Sequence, residues 1–153
     1  QGVSSAASDV YKRQIYAELF SFCDDAIFAK CSELKKSKIT SKEKTKNAFL
    51  FFMIFIEKNK GFARLVSREA LSSDEQNVSD NVNQFFERFE LSLKQMLSED
   101  SDNLIAQPGI SAQLIVTCIE GNVSRYIRSK FKDSPSNYIE NVWELLSLSI
   151  FKS

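Results

Sequence analysis

The sequence contains no histidine, and among its 153 residues there are only four glycines, two prolines and three cysteines. Without histidine, neither a Ser-His-Asp nor a Cys-His nucleophile system can be assembled, and no imidazole can ligate a metal. So little glycine and proline leaves too little turn chemistry for an all-β fold. The glycines (Gly2, Gly61, Gly109 and Gly121) are far apart, which excludes a glycine-rich phosphate loop. Long apolar runs are also missing: the longest, residues 48–56, has nine residues where a membrane-spanning helix needs about 20. Cys23 and Cys31, on one helix, would stand about 12 Å apart along its axis, too far for a disulfide. Cys118 falls in an apolar helical pattern, so three buried thiols of a cytoplasmic protein are expected. No catalysis, metal or cofactor is expected.

What is present is balanced charge, 20 basic against 20 acidic residues, with 43% hydrophobic content and 13 phenylalanines. This is the composition of one globular domain with a real core. Residues 4–14, Ser-Ser-Ala-Ala-Ser-Asp-Val-Tyr-Lys-Arg-Gln, match one reading frame of a common sequencing-library adapter. Residues 1–14 are therefore expected to be non-native and excluded from fold reasoning. The natural domain is expected over residues 15–153, with net charge −1.

From residue 15 onward, apolar positions recur every three or four residues and nothing alternates with period two over a useful length. Six helices are predicted, at about 15–36, 40–58, 62–71, 72–97, 110–131 and 135–151. Thr40 with Glu43, and Ser72 with Glu75, read as capping boxes. Residues 49–56 are apolar on every side, which places the second helix in the middle of the domain. Asn59-Lys60-Gly61 reads as a helix stop, residues 99–109 as an acidic loop, and Ser134-Pro135 as a cap with a helix-starting proline. Gly121 suggests close approach of another helix. Residues 35–68 carry ten basic residues against two acidic ones, and residues 72–105 carry eight acidic against two basic. A charge run is commonly a solvated face; its functional reading is attraction of an acidic partner. The carboxylate pairs Glu87/Glu90 and Asp24/Asp25 sit among neighbours of both signs and read as solvated rather than catalytic.

Three stretches then point to a family: residues 55–65 (FIEKNKGFARL), 83–90 (NQFFERFE) and 120–131 (EGNVSRYIRSKF). In order and spacing they resemble the C-terminal domain of the SlmA-like nucleoid occlusion factors, a branch of the TetR family of DNA-binding regulators. The resemblance covers roughly residues 15–150 and is weak at 35–46 and 99–109. It implies an all-α, TetR-like C-terminal domain whose last two helices form a four-helix dimer interface. It also implies a DNA-reading helix-turn-helix module upstream of residue 15, so specific DNA binding is not expected of this chain.

The resemblance further implies that a groove between the first two helices takes the C-terminal tail of the division protein FtsZ. Matching positions are Phe22 and Lys30 on the first helix, Phe51, Ile54 and Lys58 on the second, and Asn59 at its end. Phe22 and Lys30, eight residues apart, can face one groove. The same residues also fit a plain core with solvated lysines. Ile54 departs from the family, where glycine is usual, and lysine at 30 and 58 replaces arginine, keeping charge without the planar fork. Ile115, Ile119, Val123, Val142, Trp143, Leu146 and Ile150 are the candidates for the dimer contact, some of them shared with the monomer core. Two alternatives stay open: a repressor domain sensing a small hydrophobic ligand near residues 49–56, and a generic helical dimerisation module.

Overall fold

The computed structural model describes the backbone of residues 2–68 and 76–153 and the side chains of residues 6–68 and 77–153. The described residues form six α-helices: α1 (Gly2–Lys36), α2 (Ser41–Lys58), α3 (Lys60–Val66), α4 (Gln76–Ser98), α5 (Pro108–Arg128) and α6 (Ile139–Ile150). No strand occurs among the described residues; a lone antiparallel bridge joins Leu104 to Phe151. The Ser72–Glu75 capping box and Leu71 lie outside the described residues.

The second helix occupies the centre, as its all-round apolarity requires, packing against α1, α3, α4, α5 and α6. Its start is fixed by the capping box: the Thr40 hydroxyl accepts from the Glu43 N–H at 3.1 Å, and the Glu43 carboxylate accepts from the Thr40 N–H at 3.1 Å. Phe49, Phe52, Met53 and Ile56 are fully buried. Around Phe85 of α4, the rings of Phe20, Phe28, Phe52, Phe62 and Phe86 stand 5.5–5.9 Å away, most of them edge-on. Edge-to-face contact places the positive ring edge on a negative face, adding to the area term.

Helix boundaries differ from the sequence reading in several places, among them α5, which runs Pro108–Arg128 instead of 110–131 and takes Pro108 from the expected loop. Helix α1 runs back through residues 2–14 instead of starting at 15, with residues 6–15 exposed. Helix α3 starts at Lys60 and carries Gly61 within it, although α2 does stop at Lys58. A Cβ on Gly61 would meet Leu19 Cδ2 at 3.2 Å, so this glycine lets α1 and α3 pack closely. Pro135 begins a 3₁₀ turn (Pro135–Asn137), and α6 follows only at Ile139. The acidic segment after α4 holds a 3₁₀ turn, Ser101–Asn103, and pairs with the C-terminus: Ile105 N–H donates to Ile150 O and Lys152 N–H to Asn103 O, both at 2.8 Å.

Lys44 belongs to the basic run expected to be solvated, yet its side chain is only 6% exposed. Its ammonium donates to Glu99 at 3.0 and 3.2 Å and to the Lys35 carbonyl at 3.1 Å. It thereby ties the end of α4 to the open carbonyl end of α1, where a cation also suits the helix dipole.

Helix α5 ends in a Schellman motif. Phe131 N–H reaches back to Tyr126 O at 3.0 Å, Lys130 N–H reaches Ile127 O at 2.8 Å, and the Phe131 ring packs on Tyr126 at 5.0 Å. The motif requires left-handed backbone where glycine is usual, but Lys130 (φ 57°) and Phe131 (φ 62°) occupy it. Each costs about 1 kcal/mol relative to glycine.

Candidate functional site

Helices α1 and α2 are joined by a four-residue connection, residues 37–40, which turns the chain back on itself. Lys30 beside Phe51 and Leu19 against Gly61 fix an antiparallel register, and this sets Phe22 level with the C-terminal end of α2 near Lys58. Along α2, Phe51, Ile54, Phe55 and Lys58 recur at three- and four-residue spacing and form one stripe, on which Phe51 lies beside Lys30 of α1. The Lys30 ammonium lies 5.7 Å from the Phe51 ring centroid and 3.4 Å from the Glu33 carboxylate. A cation over a half-buried ring contributes about 1 kcal/mol and holds both side chains in place.

The six expected groove residues behave differently from one another. Phe22 is 63% exposed, a large ring with no packed partner among the described aromatic pairs. Phe51 and Ile54 are half-buried and rest on the core, so they form a floor rather than free prongs. Lys58 is exposed at the groove's end. The Asn59 amide donates to the Phe55 carbonyl at 2.8 Å, closing α2, and is therefore committed to the helix end. Sequence reasoning missed Phe55, which lies 5.9 Å from Phe51 and 6.0 Å from Phe62 and couples the groove floor to the core. Its position four residues after Phe51 is the signal that identifies it.

The other flank of α1 faces α4 and is bridged by an ion pair, beside an open cleft lined by Phe28, Ser32, Arg88 and Leu91. The Arg88 guanidinium sits 4.0 Å from the Phe28 centroid and donates to Asp24 at 3.0 and 3.3 Å. Asp24 is thus an ion-pair partner, not half of a catalytic acid pair.

Six of the seven residues expected at the dimer contact, Ile115, Ile119, Val123, Trp143, Leu146 and Ile150, are inside this chain's own core; Val142 is half-buried. Their side chains are turned to α2 and α4 because the core stripe of each helix is also its most regular apolar stripe. A second apolar set faces outward: Ile110 and Leu114 on α5, and Leu145 and Leu148 on α6, the last two 69% and 74% exposed. Gly121 has no atom within 4 Å of where a Cβ would stand, so the chain itself leaves open the space beside α5. The signal for this second set was available, since Leu145 and Leu148 fall between the core positions of α6.

Four open clefts of about 190 to 300 Å³ lie along α4, one of them lined by Arg68, Phe86, Glu120 and Val123. Residues 49–56 line none of the four, because their space is filled by rings. Among the described residues no group of acidic or thiol side chains is placed to hold a metal. Among the described residues no helix is long and apolar enough to cross a membrane.

Comparison with known proteins agrees with this architecture. The chain is similar to the nucleoid occlusion factor SlmA of Vibrio vulnificus (strain YJ016), 29% identical over 156 aligned positions that cover 97% of this chain and 80% of the relative. It is also similar to the nucleoid occlusion factor SlmA of Marinobacter nauticus, 24% identical over 144 positions, 92% of this chain and 74% of that one. The crystal structure of the transcriptional regulator FadR from Bacillus subtilis, in complex with stearoyl-CoA, superposes with a TM-score of 0.68 at 18% identity, covering 86% of this chain and 74% of FadR. That likeness establishes the fold. The model of the SlmA-like family, described as tetracyclin repressor-like, C-terminal domain, matches residues 40–150. With most of its helices inside that match, the chain belongs to the SlmA-like family of TetR-type regulators.

Proposed function

We propose that this chain is the partner-binding and dimerisation domain of a nucleoid occlusion factor, and that its α1/α2 groove takes the C-terminal tail of FtsZ. Three observations on neighbouring helices support the reading: Phe22 of α1 is exposed, Lys30 of α1 lies over the half-buried Phe51 ring of α2, and Lys58 is exposed at the end of α2. Phe22 and Phe51 supply apolar contact area, while Lys30 and Lys58 attract and orient an acidic peptide. Ile54 raises the groove floor, so the peptide sits higher over α2 than it would over glycine. In the intact protein, a DNA-reading module would hold this domain at the nucleoid, and tail capture there would block division-ring assembly over the chromosome.

The second copy needed for a two-fold operator reader docks through the outward apolar set on α5 and α6, with Val142 at its edge and Gly121 admitting a close helix. A ligand-sensing reading is less supported, because residues 49–56 are occupied by Phe49, Phe52, Met53 and Ile56, all fully buried.

The test is titration of the domain with a fluorescent FtsZ-tail peptide, alongside Lys30→Glu and Phe51→Ala. Saturable binding weakened at least about tenfold by each variant, or roughly 1.4 kcal/mol, is expected. Absence of saturable binding, or equal binding by both variants and the parent, overturns the groove assignment.

A further inference from the structure

Helix α3 and the turn after α5 meet around one aromatic ring and bring together a set of cations outside the groove. The Lys60 ammonium lies 5.4 Å and the Arg64 guanidinium carbon 5.2 Å from the Phe131 ring centroid. Lys130 and Lys132 flank Phe131 in sequence, within about 7 Å of each other by backbone reach. Arg128 ends the helix one turn earlier, and all five cations are exposed.

The neighbouring carboxylates offset only part of this charge, one being paired with Arg125 and the other leaving a single negative charge against five cations. Asp133 accepts from Arg125 at 2.7 Å, and Glu57 accepts from the Ser136 hydroxyl at 2.8 Å and its N–H at 3.2 Å. Among the described residues none of the five makes an ion pair. Lys130 also occupies the left-handed position of the Schellman motif, where glycine would sit without strain. Backbone strain retained at a charged surface position points toward use of that charge.

From this arrangement we infer that the α3/α5 end of the domain is a sequence-independent docking surface for the phosphodiester backbone of duplex DNA. Charge alone would also suit an acidic protein, but a peptide partner needs an apolar pocket for an anchoring side chain. Here the one aromatic group is sealed by Tyr126, Lys60 and Arg64. What remains exposed is ammonium and guanidinium, including two planar forks suited to phosphate oxygens. Such a surface neutralises phosphates, releases counterions and reads no bases.

The experiment is fluorescence anisotropy of the 153-residue chain with a 30-base-pair duplex of arbitrary sequence, from 20 to 200 mM salt. Parallel arms use poly-L-glutamate of matched charge, Lys130→Gly, and the Lys60→Gln/Arg64→Gln pair. Expected are a log–log salt slope of about −4 for four or five phosphate contacts, and a slope smaller by about one for Lys130→Gly. Lys130→Gly should weaken binding several-fold while raising the melting temperature by about 3 °C, which separates lost charge from lost fold. The double variant should weaken binding further, and poly-L-glutamate should bind at least about tenfold more weakly than the duplex. No duplex binding at 20 mM salt, binding unchanged in both variants, or equal binding of poly-L-glutamate would overturn the assignment.

Discussion

At the scale of single residues, burial changes chemistry that the sequence alone leaves at ordinary values. The Cys23 and Cys31 thiols are pushed up to about 11 by burial, Lys35 and Ser92 offsetting part of the effect at Cys31. The folded chain therefore keeps protons that the unfolded chain releases from about pH 9. Stability is full below pH 9 and falls as pH rises toward 11, by roughly 2 kcal/mol per thiol. Urea denaturation at pH 8, 9, 10 and 11 checks this: the loss should be shallower in a Cys23→Ala/Cys31→Ala variant, and parallel curves would contradict it. Residue-scale features were unevenly legible in the sequence. Burial of Cys23 and Cys31 followed from helical period, whereas Cys118, expected to be buried as well, is only half-buried; the Thr40 cap followed from its spacing to Glu43. Lys44 did not, since a lysine in a basic run looks solvated until Glu99, 55 positions away, is brought to it.

Among the helices, α2 and α4 were the most legible because their apolar patterns are longest and least interrupted. Their contact depends on ring stacking that no local pattern encodes, with Phe85 at its centre. Phe85→Ala should cost about 3–5 kcal/mol, since the five rings around it cannot all relax into the void. Phe51→Ala should cost clearly less, because Phe51 is half-buried and its loss opens a groove rather than a cavity. Chemical denaturation of the two variants distinguishes them, and equal losses would place Phe51 in the core and remove it from the groove. Boundaries were less legible than existence: Gly61 reads as a stop, yet its lack of a Cβ serves the close approach of Leu19 within α3. Pro135 reads as a helix start, yet it opens a 3₁₀ turn whose Ser136 bonds Glu57.

For the whole molecule, the all-α class was readable from periodicity and the family from three stretches of sequence. The outward apolar set on α5 and α6 was not, because a helix with one buried and one exposed apolar face carries two apolar stripes. Periodicity selects the stripe that fills the core. The proposed outward face makes a direct prediction: Leu145→Glu with Leu148→Glu should shift the chain from dimer to monomer in sedimentation velocity while leaving its melting curve cooperative. A monomeric parent, or a doubly substituted chain that stays dimeric, would remove α6 from the contact. The central claim concerns where a partner sits, and it is tested most directly by amide chemical-shift mapping of the isotope-labelled chain during titration with the FtsZ-tail peptide. The account predicts saturable shifts concentrated at residues 22–30 of α1 and 51–59 of α2. Shifts concentrated instead along α4 and α5, around Arg68, Phe86 and Glu120, would contradict it.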